Sequence, residues 1–161
     1  IMGTPVELGG NGSDGAKVPG LQIDVSSITA GTSKTLVQKD SNTLFLFNAA
    51  TALTYLLPAW SKGLEFSFLT TVAVSGALHT VKTADGAKVI GAVMGGSLTV
   101  ADSGDVFQGN GSTHIGVAFG GTTTGGLVGT YVTFTAITPG VWGITGGFVG
   151  SGTLADPFIT T

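Results

Sequence analysis

Arginine is absent from this chain of 161 residues, and all six of its basic residues are lysines. The formal net charge is −3. Nucleic-acid binding needs phosphate neutralisation and guanidinium forks that read base edges, so the composition argues against a nucleic-acid partner. Cysteine is also absent, which excludes disulfides and thiolate metal sites. No apolar run approaches the ~18–20 residues that cross a bilayer as a helix. Leu44–Phe47 is typical of the runs present, and no basic-then-apolar segment opens the chain, so no membrane partner is expected. Charge of either sign is scarce: 9% of residues, against roughly 25% in an ordinary soluble protein. A free monomer keeps its surface soluble with mixed charges. Here Thr, Ser and Gly, or a partner, must cover the surface instead.

What is present is a two-residue period. Hydrophobic residues make up 42% of the chain, enough for one globular domain with a sizeable core. Leu21, Ile23 and Val25 alternate with polar residues, and Leu44–Phe47 reads as a strand covered on both faces. Leu64, Phe66, Phe68, Val72 and Val74 share one face of a longer strand. Asp85-Gly86 between His79–Thr83 and Lys88–Ile90 predicts a hairpin. Further hairpins are expected around Ser103-Gly104, flanked by Leu98–Val100 and Asp105–Phe107, and around Thr138-Pro139-Gly140, joining Tyr131–Ile137 to Val141–Thr145. The tract Gly120–Gly126 suits a loop. No window has a helical period with both a cap and a stop, and no repeat of fixed period is visible. These features predict an all-β fold, an antiparallel β-sandwich or β-barrel of jelly-roll-like form. The expected organisation is an extended N-terminal arm over 1–20, a body over 21–149 and a C-terminal tail over 150–161.

The chemical motifs are sparse. Gly10-Asn11-Gly12-Ser13-Asp14-Gly15 matches a dinucleotide-binding glycine pattern, but Pro19-Gly20 forbids the helix that would hold a pyrophosphate. His79 and His114 are the only histidines, and neither sits in a metal-ligand or triad spacing. Asp102, Asp105 and Asn110 do not match a calcium loop and read as turn residues. No catalytic residues, metal or cofactor are expected. Trp142 shares a face with Ile144 and reads as core, whereas Trp60, beyond Pro58, is a candidate surface anchor. In the arm, Val6, Leu8 and Val18 are spaced for an extended segment lying along another protein. With Trp60 they form the candidate partner-binding set.

The stretch Asn48–Phe68, NAATALTYLLPAWSKGLEFSF, resembles a strand–turn–strand pattern of tailed-phage virion proteins. There it precedes a hairpin of the kind seen in Thr83–Gly91 and a late strand like Gly140-Val141-Trp142-Gly143-Ile144. The resemblance covers about residues 43–146. It implies a capsid decoration (cement) protein, commonly trimeric, bound to the major capsid protein on the outer surface of the phage head. Synthesis would occur in the host cytoplasm. The alternative it leaves open is a tail-fibre or spike module recognising host surface glycan through loops around Trp60 and Gly120–Gly126. No catalytic residues transfer with it.

Overall fold

The computed structural model describes residues 24–101 and 104–161. Seven strands come first: β1 (Asp24–Ser27), β2 (Ser33–Thr35), β3 (Thr43–Phe47), β4 (Leu53–Leu57), β5 (Glu65–Thr70), β6 (His79–Thr83) and β7 (Lys88–Ser97). They alternate strictly between two sheets, the odd strands in sheet A and the even ones in sheet B. Within each sheet β1, β3 and β5, and likewise β2, β4 and β6, lie side by side in parallel. This half of the chain is therefore a coil wound around its own core. Five strands complete it: β8 (Gly104–Asn110), β9 (Gly116–Phe119), β10 (Tyr131–Thr138), β11 (Val141–Gly150) and β12 (Phe158–Ile159). The hairpin β10–β11 slots between β5 and β7, giving sheet A the order β1-β3-β5-β10-β11-β7-β8. Sheet B runs β12-β9-β6-β4-β2.

The all-β sandwich expected from the sequence is the observed fold, with one correction. Of the ten strand pairs, five are antiparallel and five parallel, so the sheets are mixed. The cause is visible at Asp85-Gly86. The turn chemistry is as expected: Gly86 has φ 77°, the Ala87 N–H donates to Asp85 Oδ1 at 3.0 Å, and Thr83 Oγ1 donates to the Ala87 carbonyl at 2.9 Å. Yet β6 and β7 enter different sheets, so the turn is an arch over the core and not a hairpin. The Asn110 turn likewise carries the chain from one sheet to the other, from β8 to β9. The hairpins β7–β8 and β10–β11 do form, but the strand that pairs with β8 is Lys88–Ser97 and not the expected Leu98–Val100, and β10–β11 has a bulge between Ala136 and Thr138.

Inward positions follow the period of two. Phe45 and Phe47 from β3, Tyr55 from β4, Phe66 and Phe68 from β5, Phe134 from β10 and Trp142 from β11 are all buried. Their rings interlock, with Phe45–Tyr55 centroids 5.1 Å apart and Phe68 edge-on to Phe134 at 6.0 Å. Each such side chain contributes about 1.5–3 kcal/mol of burial before entropy is subtracted. The long strand expected over 64–74 ends at Thr70, because the Thr71 and Val72 N–H groups both turn to the Phe47 carbonyl, at 3.0 and 3.1 Å. Val72 is consequently exposed while Val74 is buried. Residues after Gly150, read from sequence as a tail, belong to the body: β12 joins sheet B, and Leu154 and Phe158 enter the core.

Candidate interaction surface

Alternation that buries one side of each strand presents the other side outward, and register sets which outward residues become neighbours. Across sheet A they fall into rows. The first runs Leu46, Leu69, Tyr131, Gly147, Met94, Val106. The second runs Leu44, Ser67, Thr133, Thr145, Ala92, Gln108. The third holds Glu65, Thr135, Gly143, Ile90 and Asn110. Met94 and Val106 are 66% and 67% exposed, and Val25, Ile90, Tyr131 and Ile137 are exposed on the same side. Among the described residues, only Glu65 and Lys88 bring charge to these outward strand positions.

The hydroxyls on this face bond to one another. Tyr131 OH donates to Ser67 Oγ at 3.2 Å, and Thr133 Oγ1 donates to Tyr131 OH at 3.1 Å. The Ser67–Thr133 bond at 2.9 Å closes a ring of three in which every oxygen can give once and accept once. Covering these groups with a partner leaves none of them without a bond, so little is lost on desolvation. Beside the ring lies a shallow groove of about 110 Å³, lined by Asn42, Thr43, Leu44, Glu65, Ser67 and Tyr131. Asn42 adopts φ 61°, the left-handed region that asparagine tolerates best after glycine, and its N–H donates to the Glu65 carbonyl at 2.8 Å. Glu65 Oε2 accepts from Thr135 Oγ1 at 3.3 Å.

The residues singled out from sequence do not converge. Val6, Leu8 and Val18, with the whole 1–20 arm, lie outside the described residues. Trp60 is half-buried and packs against the core edge. It follows the Leu57 end of β4, whereas Gly120–Gly126 follows Phe119, which pairs with His79 and through it with Leu53. Trp60 and that glycine tract therefore sit at opposite ends of sheet B. The tract itself is folded inward, with Gly125 and Gly126 buried. Trp142 is core, as its alternation implied.

The two histidines are also apart, His79 beginning β6 and His114 preceding β9 at the other end. His79 is fully buried and stacked on Phe47 at 4.5 Å, and neither ring nitrogen has a hydrogen bond of normal geometry. Burial holds its pKa below the ordinary 6.5, outweighing the Val72 and Ala49 carbonyls that favour the protonated ring. His114 stacks on Phe158 at 5.2 Å, and its Nδ1 accepts the Asn110 N–H at 3.3 Å. The Asn110 side-chain oxygen accepts the N–H groups of Ser112, Thr113 and His114, which makes it a turn residue. Asp102 lies outside the described residues, and no group of three or more His, Asp or Glu among the described residues could hold a metal ion.

Sequence reasoning missed Leu69, Tyr131, Met94 and Val106 as members of one surface. The period put Leu69 and Tyr131 opposite their strands' core faces, but Met94 lay outside the strands read from sequence and Val106 was given no face. Only the register, which seats β11 beside β7 from a third of the chain away, puts them together.

No family model, no curated protein and no solved structure matches the chain.

Proposed function

We propose that this chain is a non-catalytic structural virion protein, a decoration protein that binds the outer surface of a phage head and stabilises it. The observation that supports this most directly is the broad, nearly uncharged outer face of sheet A. A chain with that face and with 9% charged residues is suited to life inside an assembly. The resemblance in the 43–146 region supplies the setting: the major capsid protein as partner, the virion surface as location, and self-association, for which the resemblance implies a homotrimer. Residues 1–20, with Val6, Leu8 and Val18, are the segment this reading assigns to attachment across capsid seams. Many copies that bind only the assembled shell stabilise it by mass action.

The glycan-binding alternative draws less support, because Trp60 and Gly120–Gly126 do not share one end of the sandwich. Binding of the purified chain to undecorated heads, measured beside binding to host surface glycans, separates the two. Saturable binding to heads with a gain in their heat resistance is the expected result. Glycan binding without head binding would transfer the chain to a fibre or spike.

A further inference from the structure

The outer face of sheet A carries more than a general capacity for contact, because its features are arranged in complementary halves. Glu65 lies on β5 and Lys88 on β7, both toward the end of the sheet where β5 begins. Neither has an oppositely charged partner among the described residues. They stand three strands apart, about 14 Å at ordinary strand spacing. The bulky Tyr131 stands on β10, and directly beside it on β11 is Gly147, which has no side chain. Leu69 on β5 flanks the tyrosine as Met94 on β7 flanks the glycine.

We infer that a second copy of this chain docks on this face through a two-fold contact whose axis runs along the strands between β10 and β11. Rotation by half a turn about that line exchanges β10 with β11 and β5 with β7. Tyr131 then meets Gly147 of the second copy, a bulge over a gap, and Leu69 meets Met94. Glu65 comes opposite Ile90, one side-chain row from Lys88, within reach of that lysine's flexible stem. Each pairing occurs twice, as an isologous interface requires. The ring of Ser67, Tyr131 and Thr133 hydroxyls keeps its own bonds as water leaves. Sheets that pack face to face lie about 10 Å apart with strand directions inclined by about 30°, so twist confines the contact to the central strands. Such a patch buries on the order of 1,000 Å² over both copies, the lower bound for a specific contact. Association is therefore concentration-dependent. The inference stands apart from the reading as a decoration protein. Alone the contact makes a dimer; combined with the three-fold contact that the resemblance implies, it makes a particle of six copies.

The test is sedimentation equilibrium of the full chain and three variants, Glu65→Lys, Lys88→Glu and the double exchange, over about a hundredfold range of concentration. The wild type should approach two or six times the 15.9 kDa chain mass. Each single reversal should weaken association by about tenfold or more, and the double exchange should restore it to within about threefold. Met94→Lys, in the Leu69–Met94 pairing beside the axis, gives an independent reading and should also weaken it. At concentrations where the wild type is dissociated, circular dichroism melts of all variants should match it, since Glu65 and Met94 are exposed and Lys88 is half-buried. A wild type that stays monomeric or trimeric overturns the inference. So do single reversals without effect, or a double exchange no better than either single.

Discussion

Two outer faces cover one core in this sandwich, and they differ in what they leave uncovered. On sheet B, Thr54, Leu56, Thr80 and Lys82 are half-buried and Ala118 is buried, and none of the exposed large apolar side chains lies on its strands. On sheet A, six do: Val25, Ile90, Met94, Val106, Tyr131 and Ile137. Both faces obey the same period of two, so periodicity is not what distinguishes them. Sheet B closes with short edge strands, β2 of three residues and β12 of two. Lys34 of β2 sits over the Phe45 ring, 5.0 Å from its centroid, and 3.8 Å from Asp40, which gives that edge a charged border. Sheet A spreads over seven strands and ends in β8, seven residues with neither proline nor lysine. One face exposes no large apolar side chain on its strands; the other exposes six, set among serine, threonine and glutamine.

The largest effect is expected from removing what both faces rest on. Phe68 touches Phe45, Phe47, Tyr55 and Phe134 at ring distances of 5.3 to 6.1 Å. Phe68→Ala should cost about 3–5 kcal/mol in urea unfolding and weaken the whole sandwich in one transition. A loss under about 1 kcal/mol would show that the core relaxes around the gap.

A smaller effect, aimed at sheet A alone, is expected at Gly146. Its φ is 142°, and a Cβ there would stand 2.2 Å from the Tyr131 carbonyl oxygen of the adjacent strand. Gly146→Ala must part β10 from β11, and a loss of more than about 2 kcal/mol is expected from the strained backbone and the broken strand contact. Thermal melts of this variant beside the parent check it. An unchanged midpoint would mean that the pair of strands can shift freely.

Smaller again is the effect of acid on His79, which lies between the sheets on β6. Its folded pKa is below the unfolded value of 6.5. The unfolded chain therefore takes up the proton first. The neutral ring's contribution is complete above pH 6.5 and is lost as pH falls through that value toward the folded pKa. One proton gives at most about 1.4 kcal/mol per pH unit. His79→Phe, which keeps a ring on Phe47, should flatten stability between about pH 6.5 and 5, above the range where carboxylates titrate. Equal slopes in variant and parent would place the proton elsewhere.

How much of this was legible beforehand depends on which physical information alternation carries. It tells which side of a strand faces the core, so Phe45, Phe66, Phe68, Phe134 and Trp142 were readable as interior. It does not tell which strand lies alongside. Val81 and Val89 point inward whether Asp85-Gly86 makes a hairpin or an arch, so the coil of alternating sheets was invisible. Val72 looked like a core residue because the period ran on through it, while the Phe47 carbonyl had already drawn the chain aside. Phe158, two residues beyond Asp156, offered too short a pattern to be seen as a strand. The outer face of sheet A was the least legible feature. Leu69, Met94 and Tyr131 are outward positions on three strands far apart in sequence, and they become one surface only through the β5–β10, β10–β11 and β11–β7 pairings.

Association through sheet A would cover its outer face and leave sheet B's open to solvent. Because the chain has no cysteine, one introduced thiol reports on one place. Ala92→Cys puts it on sheet A's face with little change of size, and Thr80→Cys puts it on sheet B's. Maleimide labelling of each variant, concentrated and then diluted, measures cover directly. Labelling at position 92 should be slow and speed up on dilution, with a rate at position 80 that does not depend on concentration. Labelling at position 92 that is equally fast at every concentration would contradict it.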